Sequence, residues 1–343
     1  MPYRILIVVI AAVIAAAAPP AAVGDDGGVC MTVCMSGFVD ASYSGNLDLG
    51  TDTFGLDQAE MDLSRCFGER GGLRADFEWA KDGDDWALDV EQGYLSYRPA
   101  FTDKLNFTFG KFNAPIGFEL PDAPDMYQFS HALVFDYGLP TNLTGAMLSV
   151  NVTKDADIGV YLVNGWDDND LGRAGPKTFG GRAGYRLGDL GAVGLAAIMG
   201  SEQDEIRKAV MTLDRTVVDV DLTLTPIPAL EIGGEFNMGF VEVNDVESEW
   251  MGMLAMVHYD FNKWFGLTGR FDWFDDPDDF VFESGLEETR TAITLAPTFV
   301  LGDGMGALLE LRIDGSSEDV FINSDGEPKA STTGLAFEMT YSF

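Results

Sequence analysis

The chain contains very little cysteine and histidine: three cysteines and two histidines among 343 residues. Cys30, Cys34 and Cys66 are too few to form a disulfide scaffold. His131 and His258 lie outside any nucleophile-bearing motif, so the sequence shows no catalytic arrangement of the kind that acyl or peptide hydrolysis needs. We therefore expect a protein that is not an enzyme, with no cofactor and no metal site.

Basic residues and long apolar runs are also scarce. Lysine and arginine total 21 against 56 aspartates and glutamates, which gives a formal net charge of −35. This acidity argues against a nucleic-acid partner and against direct attraction to anionic lipid. Outside the N-terminus, no stretch reaches the roughly 18 apolar residues that a membrane-spanning helix needs. Helical membrane spans are therefore excluded, whereas strands, which are only half apolar, can still cross a bilayer.

The single long apolar run has the organisation of a secretory signal peptide. Residues 1–4 end in the positive Arg4, residues 5–18 are apolar, and Ala22-Val23-Gly24 offers a small-x-small cleavage site. We expect a signal peptide over residues 1–24, cleaved after Gly24 or Ala22. Residues 25–36 would then form a short periplasmic N-terminal segment.

Alternation with a period of two runs through most of the remaining chain. Such a period places successive side chains on opposite faces of a strand. Within residues 73–79, for example, apolar side chains alternate with Arg74, Asp76 and Glu78. Residues 335–343 alternate in the same way and end on an aromatic, which is typical of bacterial outer-membrane barrels. The pattern predicts about sixteen strands over residues 37–343.

The predicted connections fall into two kinds that alternate along the chain. Every second one is short, and the others, such as residues 201–214 and 240–249, are mostly longer and acidic. This sorting predicts an all-β fold, a transmembrane antiparallel β-barrel with both termini periplasmic, in the bacterial cell outer membrane. Lipid and lipopolysaccharide would surround it, and sixteen strands leave room for an aqueous channel.

The third extracellular connection, residues 113–142, is too long for an ordinary loop and is rich in proline, aspartate and aromatic residues. Its apolar content argues against a solvated loop, so we expect it to fold inward and narrow the lumen. The alternative is that it packs over the barrel mouth or into a neighbouring subunit. The candidate constriction residues are Glu119, Asp122, Asp125, Tyr127, His131 and Asp136.

The predicted inner face carries fourteen acidic and six basic side chains. Carboxylates lining a pore favour cations, so we expect cation preference. The alternative is that many charges neutralise one another: Arg74 with Asp76 or Glu60, Arg270 with Glu235 or Asp272, Arg312 with Glu310 or Glu338. The main pore-lining candidates are Asp40, Glu60, Asp62, Arg74, Asp76, Glu78, Asp219, Asp221, Glu231, Glu235, Arg270, Asp272, Arg290, Glu310, Arg312 and Glu338. Glu288, Asp314, Arg182 and Arg186 complete the set.

Four segments resemble the OmpL-like outer-membrane β-barrel porin family. They are residues 107–119 (FTFGKFNAPIGFE), 55–60 (GLDQAE), 90–95 (VEQGYL) and 136–140 (DYGLP) followed by Thr144-Gly145. The resemblance is specific over residues 37–165 and is limited to strand rhythm beyond them. It implies an outer-membrane porin that passes small hydrophilic solutes.

Two further expectations concern the cysteines and the assembly. A hairpin centred near residue 50 places Cys34 opposite Cys66, close enough for a disulfide, with Cys30 as a competing partner. Small residues along 180–184 and 191–197 offer a face where a homotrimer would form. The function we expect is a water-filled channel for passive diffusion of small hydrophilic solutes and ions, preferably cations. The alternative is a plugged or narrow structural or adhesive barrel without significant transport.

Overall fold

The computed structural model describes residues 33–82, 85–169, 175–206 and 209–343, which form a closed antiparallel barrel of sixteen strands. The barrel closes where the first strand pairs with the last, with Val39 opposite Tyr341. The first strand begins at Cys34, ahead of the predicted start of the barrel at residue 37. The predicted sixteen-stranded barrel is confirmed, while the predicted signal peptide and Cys30 lie outside the described residues.

The barrel strands follow one another around the wall in chain order. They are β1 (Cys34–Asn46), β2 (Thr51–Phe67), β3 (Gly71–Asp82), β4 (Asp85–Tyr97), β5 (Leu105–Asn113), β6 (Asn142–Asn151), β7 (Ala156–Val163), β8 (Thr178–Arg186), β9 (Gly191–Ile206), β10 (Ala209–Ile227), β11 (Leu230–Val243), β12 (Val246–Asn262), β13 (Phe265–Asp276), β14 (Glu288–Gly302), β15 (Met305–Ser316) and β18 (Ser331–Ser342). A small hairpin, β16 (Phe321–Ile322) and β17 (Pro328–Lys329), lies between the last two. The helical elements of the described residues are the short helix α1 (Leu133–Gly138) and single turns at Ala123–Asp125 and Gly188–Leu190. No helix in the described ranges is long and apolar enough to cross a membrane.

The alternation seen in the sequence becomes two chemically different faces. In β10, Val218 and Val220 are 39% and 42% exposed, whereas Asp219 and Asp221 are 0% and 6% exposed. A closed sheet has one outer and one inner face, and successive side chains point to opposite ones. The outer face is therefore apolar and the inner face is polar and charged, as expected of a barrel whose outside contacts hydrocarbon.

Two connections predicted as long loops are strands instead. Strand β9 continues to Ile206 and β10 begins at Ala209, within the predicted loop 201–214. Strands β11 and β12 replace the predicted loop 240–249 and meet at Asn244 and Asp245, whose φ angles of +52° and +64° suit a tight hairpin turn. The acidic residues of these two segments lie in paired strands, so a polar composition did not distinguish a loop from a strand.

The predicted disulfide is not present. Cys34 lies opposite Ser64, because the β1–β2 hairpin pairs Asn46 with Thr51 and so turns earlier in the chain than the predicted centre near residue 50. Cys66 therefore lies two residues beyond the position opposite Cys34, and the bulge at Asp57, which shifts the pairing by one residue, does not cause this offset. Cys66 carries a free thiol, so the structure does not contain a Cys34–Cys66 bond.

Candidate functional site

The segment between β5 and β6, residues 114–141, crosses the inside of the barrel; we call it L3. On one side the backbone N–H of Ala123 donates to Gln58 Oε1 of β2 at 3.2 Å. On the other side the N–H of Phe118 donates to Glu235 Oε2 of β11 at 2.7 Å. Strands β2 and β11 stand almost opposite each other around the closed wall. A segment that contacts both must lie in the lumen.

Gly117 turns the chain into the barrel. Its φ is +90°, and a Cβ at this position would lie 2.4 Å from the Cδ1 atom of Leu139. An L-residue would be strained in this conformation, and its Cβ would also force the Leu139 side chain to move, so the φ angle is the main reason for glycine here. Because the next residue, Phe118, donates to Glu235, the turn directs L3 onto the inner wall immediately.

Arg270 of β13 is the main anchor of L3. Its guanidinium donates to the Oε1 atom of Glu119 at 2.8 Å and to the carbonyl oxygens of Ser130 at 2.6 Å and His131 at 2.9 Å. Arg312 of β15 also donates to the His131 carbonyl, at 2.6 Å. The Arg270 and Glu119 side chains are 0% and 2% exposed. Removing either partner would leave a buried, uncompensated charge, which is strongly destabilising.

Inner-wall carboxylates hold L3 through its backbone. Glu310 of β15 accepts from the N–H groups of Phe129 at 2.9 Å and Ser130 at 3.1 Å. Glu231 of β11 accepts a long contact from the Tyr127 hydroxyl at 3.4 Å. The Tyr127 ring also stacks on His258, with the ring centroids 3.8 Å apart. These acids therefore act as acceptors for the loop as well as contributing negative charge.

The wall formed by β2, β3 and β4 is strongly acidic. Glu60, Asp62 and Asp76 have carboxylate oxygens within 4.8 Å of one another, and Glu60 also meets Glu91 and Asp122 of L3 at this spacing. Arg74 binds Asp76 at 2.6 Å and lies 3.6 Å from Asp62. This wall therefore carries more acidic than basic side chains, and the arginine pairs offset part of its negative charge.

Glu91 was not among the predicted inner residues, and a bulge explains why. Opposite Asp76 and Phe77, strand β4 presents Gln92 and Val90, so Glu91 is an extra residue. Glu91 and Gln92 are consequently both buried, at 6% and 9% exposed, although they are neighbours in sequence. The bulge at Asp57-Gln58 in β2 is of the same kind. Both bulges fall within the family motifs at residues 55–60 and 90–95. Each contains an acidic residue followed directly by glutamine, and this repeated pair is the sequence signal that could have indicated a bulge.

The remaining part of L3 packs against apolar side chains inside the barrel. Leu133 of α1 and Leu139 belong to a buried cluster with Trp250 and Phe274. Phe282, from the connection after β13, packs against this cluster, and the Arg290 guanidinium lies 3.8 Å from the centre of its ring. One side of the lumen is therefore filled by a core, whereas the β2–β4 side is charged.

Four arginine pairs follow a simple rule that corrects one prediction. Arg74–Asp76, Arg270–Asp272, Arg290–Glu288 and Arg312–Asp314 each join residues two apart on one strand. Such residues share a face, because side chains alternate. Arg312 was expected to pair with Glu310 or Glu338, but it binds Asp314 at 2.8 Å. Glu310 instead accepts a hydrogen bond from the Phe129 N–H of L3.

All sixteen main pore-lining candidates lie on strands and are buried or half-buried. Among the L3 candidates, Glu119 and His131 meet at the Arg270 anchor, Tyr127 reaches Glu231, and Asp122 joins the acidic wall. Asp125 and Asp136 are exposed. The structure also contains an ion pair that the sequence did not predict, between Arg182 and Asp221 at 2.6 Å.

The architecture is similar to solved outer-membrane barrels. OmpT of Vibrio cholerae aligns with a TM-score of 0.65 at 14% identity, covering 93% of this chain and 99% of that one. The outer membrane channel DcaP of Acinetobacter baumannii gives 0.64 at 12% identity, covering 91% and 97%. The anion-selective porin of Comamonas acidovorans gives 0.64 at 11%, covering 91% and 99%. Fold and wall chemistry thus define a porin-type barrel of the bacterial outer membrane.

The family is shown by sequence. The family described as beta-barrel porin-2, OmpL-like, matches residues 54–343, and the chain belongs to it. The match extends well beyond the specific motifs at residues 37–165, which confirms the resemblance and shows that the later strands carry it too. A comparison with curated protein sequences gives no match.

Proposed function

We propose that this barrel is a diffusion channel for small hydrophilic solutes and ions, with a preference for cations. The observation that carries the proposal is the acidic wall of β2–β4 facing L3. There Glu60, Glu91 and Asp122 converge, and Arg74 is engaged by Asp76 and Asp62. A net negative constriction lowers the energy of a cation and raises that of an anion.

Space for a solute exists beside L3. A cavity of about 430 Å³ lies between Phe129 and Ser130 of L3 and the wall formed by β1, β2, β15 and β18. Glu310 and Arg312 also border it, so the lining is mixed in charge. L3 would set the size limit of the channel, because it occupies the lumen from wall to wall.

The test is the reversal potential of the purified, refolded protein in a planar bilayer under a KCl gradient. Stepwise conductance with a cation-side reversal potential is the expected result. An anion-side potential would refute the cation preference. The variants Asp122→Asn and Glu91→Gln should reduce the preference, whereas Asp103→Asn, which replaces an exposed acid in the connection between β4 and β5, should change it little.

A second candidate is a plugged or narrow barrel with a structural or adhesive role. The apolar cluster of Leu133, Leu139, Trp250 and Phe274 inside the barrel favours it, because a core in the lumen obstructs passage. Absence of conductance from a well-folded barrel would support this candidate instead.

The proposed setting follows from the barrel class. The connection that carries L3 would open to the outside of the cell and both termini to the periplasm, with lipid and lipopolysaccharide around the apolar face. A homotrimer is the proposed assembly, supported by the trimer form of OmpT from Vibrio cholerae among the similar structures. Chemical crosslinking of the purified protein tests it, with a trimer band as the expected product.

A further inference from the structure

We propose that Glu60, Glu91 and Asp122 form a calcium site that ties L3 to the β2–β4 wall. Each residue supplies one carboxylate oxygen, and the three oxygens lie within 4.8 Å of one another. Ca²⁺ binds oxygen ligands at about 2.3–2.6 Å, so two ligands of one ion are at most about 5 Å apart. The spacing therefore allows all three oxygens to bind one calcium ion, with water supplying the remaining ligands.

The second observation is the burial of these carboxylates. Glu60 is 4% exposed and Glu91 is 6% exposed. Within the described part of the chain, no donor hydrogen-bonds to either Glu60 oxygen, to Glu91 Oε1 or to Asp122 Oδ1. Buried carboxylates without a donor or cation are costly, and coordination of a metal ion is one of the few ways to stabilise them.

The neighbouring acidic cluster shows what distinguishes this one. Asp62 and Asp76 are compensated by Arg74, at 3.6 Å and 2.6 Å, and Asp76 also accepts from Gln92 at 2.7 Å. Among the described residues, no basic side chain forms an ion pair with Glu60, Glu91 or Asp122. Carboxylate oxygens alone suit a hard cation, and the absence of sulfur and imidazole from the set disfavours zinc or copper.

The three ligands come from elements that are independent of one another. Glu60 lies on β2, Glu91 is the extra residue of the bulge in β4, and Asp122 belongs to L3. An ion bound by all three would fix the loop against the wall. Since L3 already binds Arg270 on the other side, calcium would secure the crossing at both ends.

The test is calcium titration of the refolded barrel in detergent by isothermal calorimetry, after EDTA treatment, with CaCl₂ raised to about 1 mM, where weak extracellular calcium modules bind. We expect saturable binding that Asp122→Asn and the double variant E60Q/E91Q abolish. Glu231→Gln, which alters another L3-facing acid, should leave it unchanged. Since the amide variants neutralise unpaired buried charge, they should fold at least as well as the parent without calcium.

Two results would overturn the proposal: no saturable calcium binding by the parent, or binding that survives unchanged in D122N and E60Q/E91Q. The second would place the ions on other acidic groups. A second readout follows L3 itself: calcium should slow hydrogen exchange of L3 amides at least tenfold in the parent and not in D122N. Neither measurement needs the barrel to conduct, so failure here is distinguishable from failure of the proposed channel function.

Discussion

Replacing Arg270 by methionine should release L3 from the wall while leaving the barrel closed. The change leaves two buried carboxylates without their cationic partner, those of Glu119 and Asp272, whose side chains are 2% and 0% exposed. It also removes the donors to the carbonyls of Ser130 and His131. Breaking a buried ion pair from one side typically costs about 3–5 kcal/mol. The strand ladder of β13 is untouched, so the cost falls on the docking of L3.

At about 1.4 kcal/mol per tenfold change in an equilibrium constant, this loss corresponds to roughly 100-fold to 4,000-fold easier opening of L3. Hydrogen exchange measured by mass spectrometry on peptides covering residues 118–136 reports this opening. The amides of Phe118, Phe129 and Ser130 are the most informative, since each donates to an inner-wall carboxylate.

A matched control and a rescue make the measurement specific. Arg182→Met breaks another inner-wall ion pair, to Asp221 at 2.6 Å, and should leave L3 exchange unchanged. Adding Glu119→Gln to the Arg270 variant should recover part of the protection, because the unpaired Glu119 carboxylate becomes a neutral amide. Unchanged L3 exchange in Arg270→Met, or an equal effect of Arg182→Met, would refute the assignment of Arg270 as the anchor.

Three further perturbations follow from the same structure. Deleting residues 122–137 should raise single-channel conductance in planar bilayers, because the lumen loses its obstruction; a folded variant with the parent conductance would contradict a limiting role for L3. Gly117→Ala should lower the free energy of unfolding by about 1–3 kcal/mol in urea titrations, whereas Gly269→Ala, where a Cβ would meet no atom within 4 Å, should be nearly neutral. The Lys329 ammonium, which donates to Asp48 at 2.6 Å, lowers the pKa of that carboxyl below 3.8. A lowered pKa contributes stability above the ordinary value that is lost as the pH falls through the lowered one. Exchange of the β16–β17 amides, corrected for intrinsic rates, should therefore accelerate only below about pH 3.8, and Lys329→Met should exchange a few-fold faster than the parent at neutral pH, with a weaker pH dependence.

The number and order of strands could be predicted from local sequence, and their ends were the weaker part. Alternation at residues 218–225 directly reports a strand with one buried face, and β10 contains all of these residues. The prediction failed where acidic residues continue a strand beyond the apolar band, as at 240–249. There the backbone pairing is unchanged while the surroundings become aqueous, so composition no longer indicates the element.

The inner face was predictable in outline and not in detail. Asp219 and Asp221 could be assigned to it because a period of two admits one answer in a regular strand. Glu91 could not, since a bulge adds a residue and turns two successive side chains inward. The offset of Cys66 from Cys34 has a different cause, a β1–β2 turn that lies earlier in the chain than the alternation indicated.

The sequence by itself determined a barrel with an apolar outside and an acidic inside, because side-chain alternation is a property of each strand alone. Only the tertiary structure decided how L3 uses that inside. Arg270 and Glu119 are 151 positions apart in the chain, and Phe118 and Glu235 are 117 apart. Such contacts exist only after the wall closes and L3 enters it, so no local pattern encodes them.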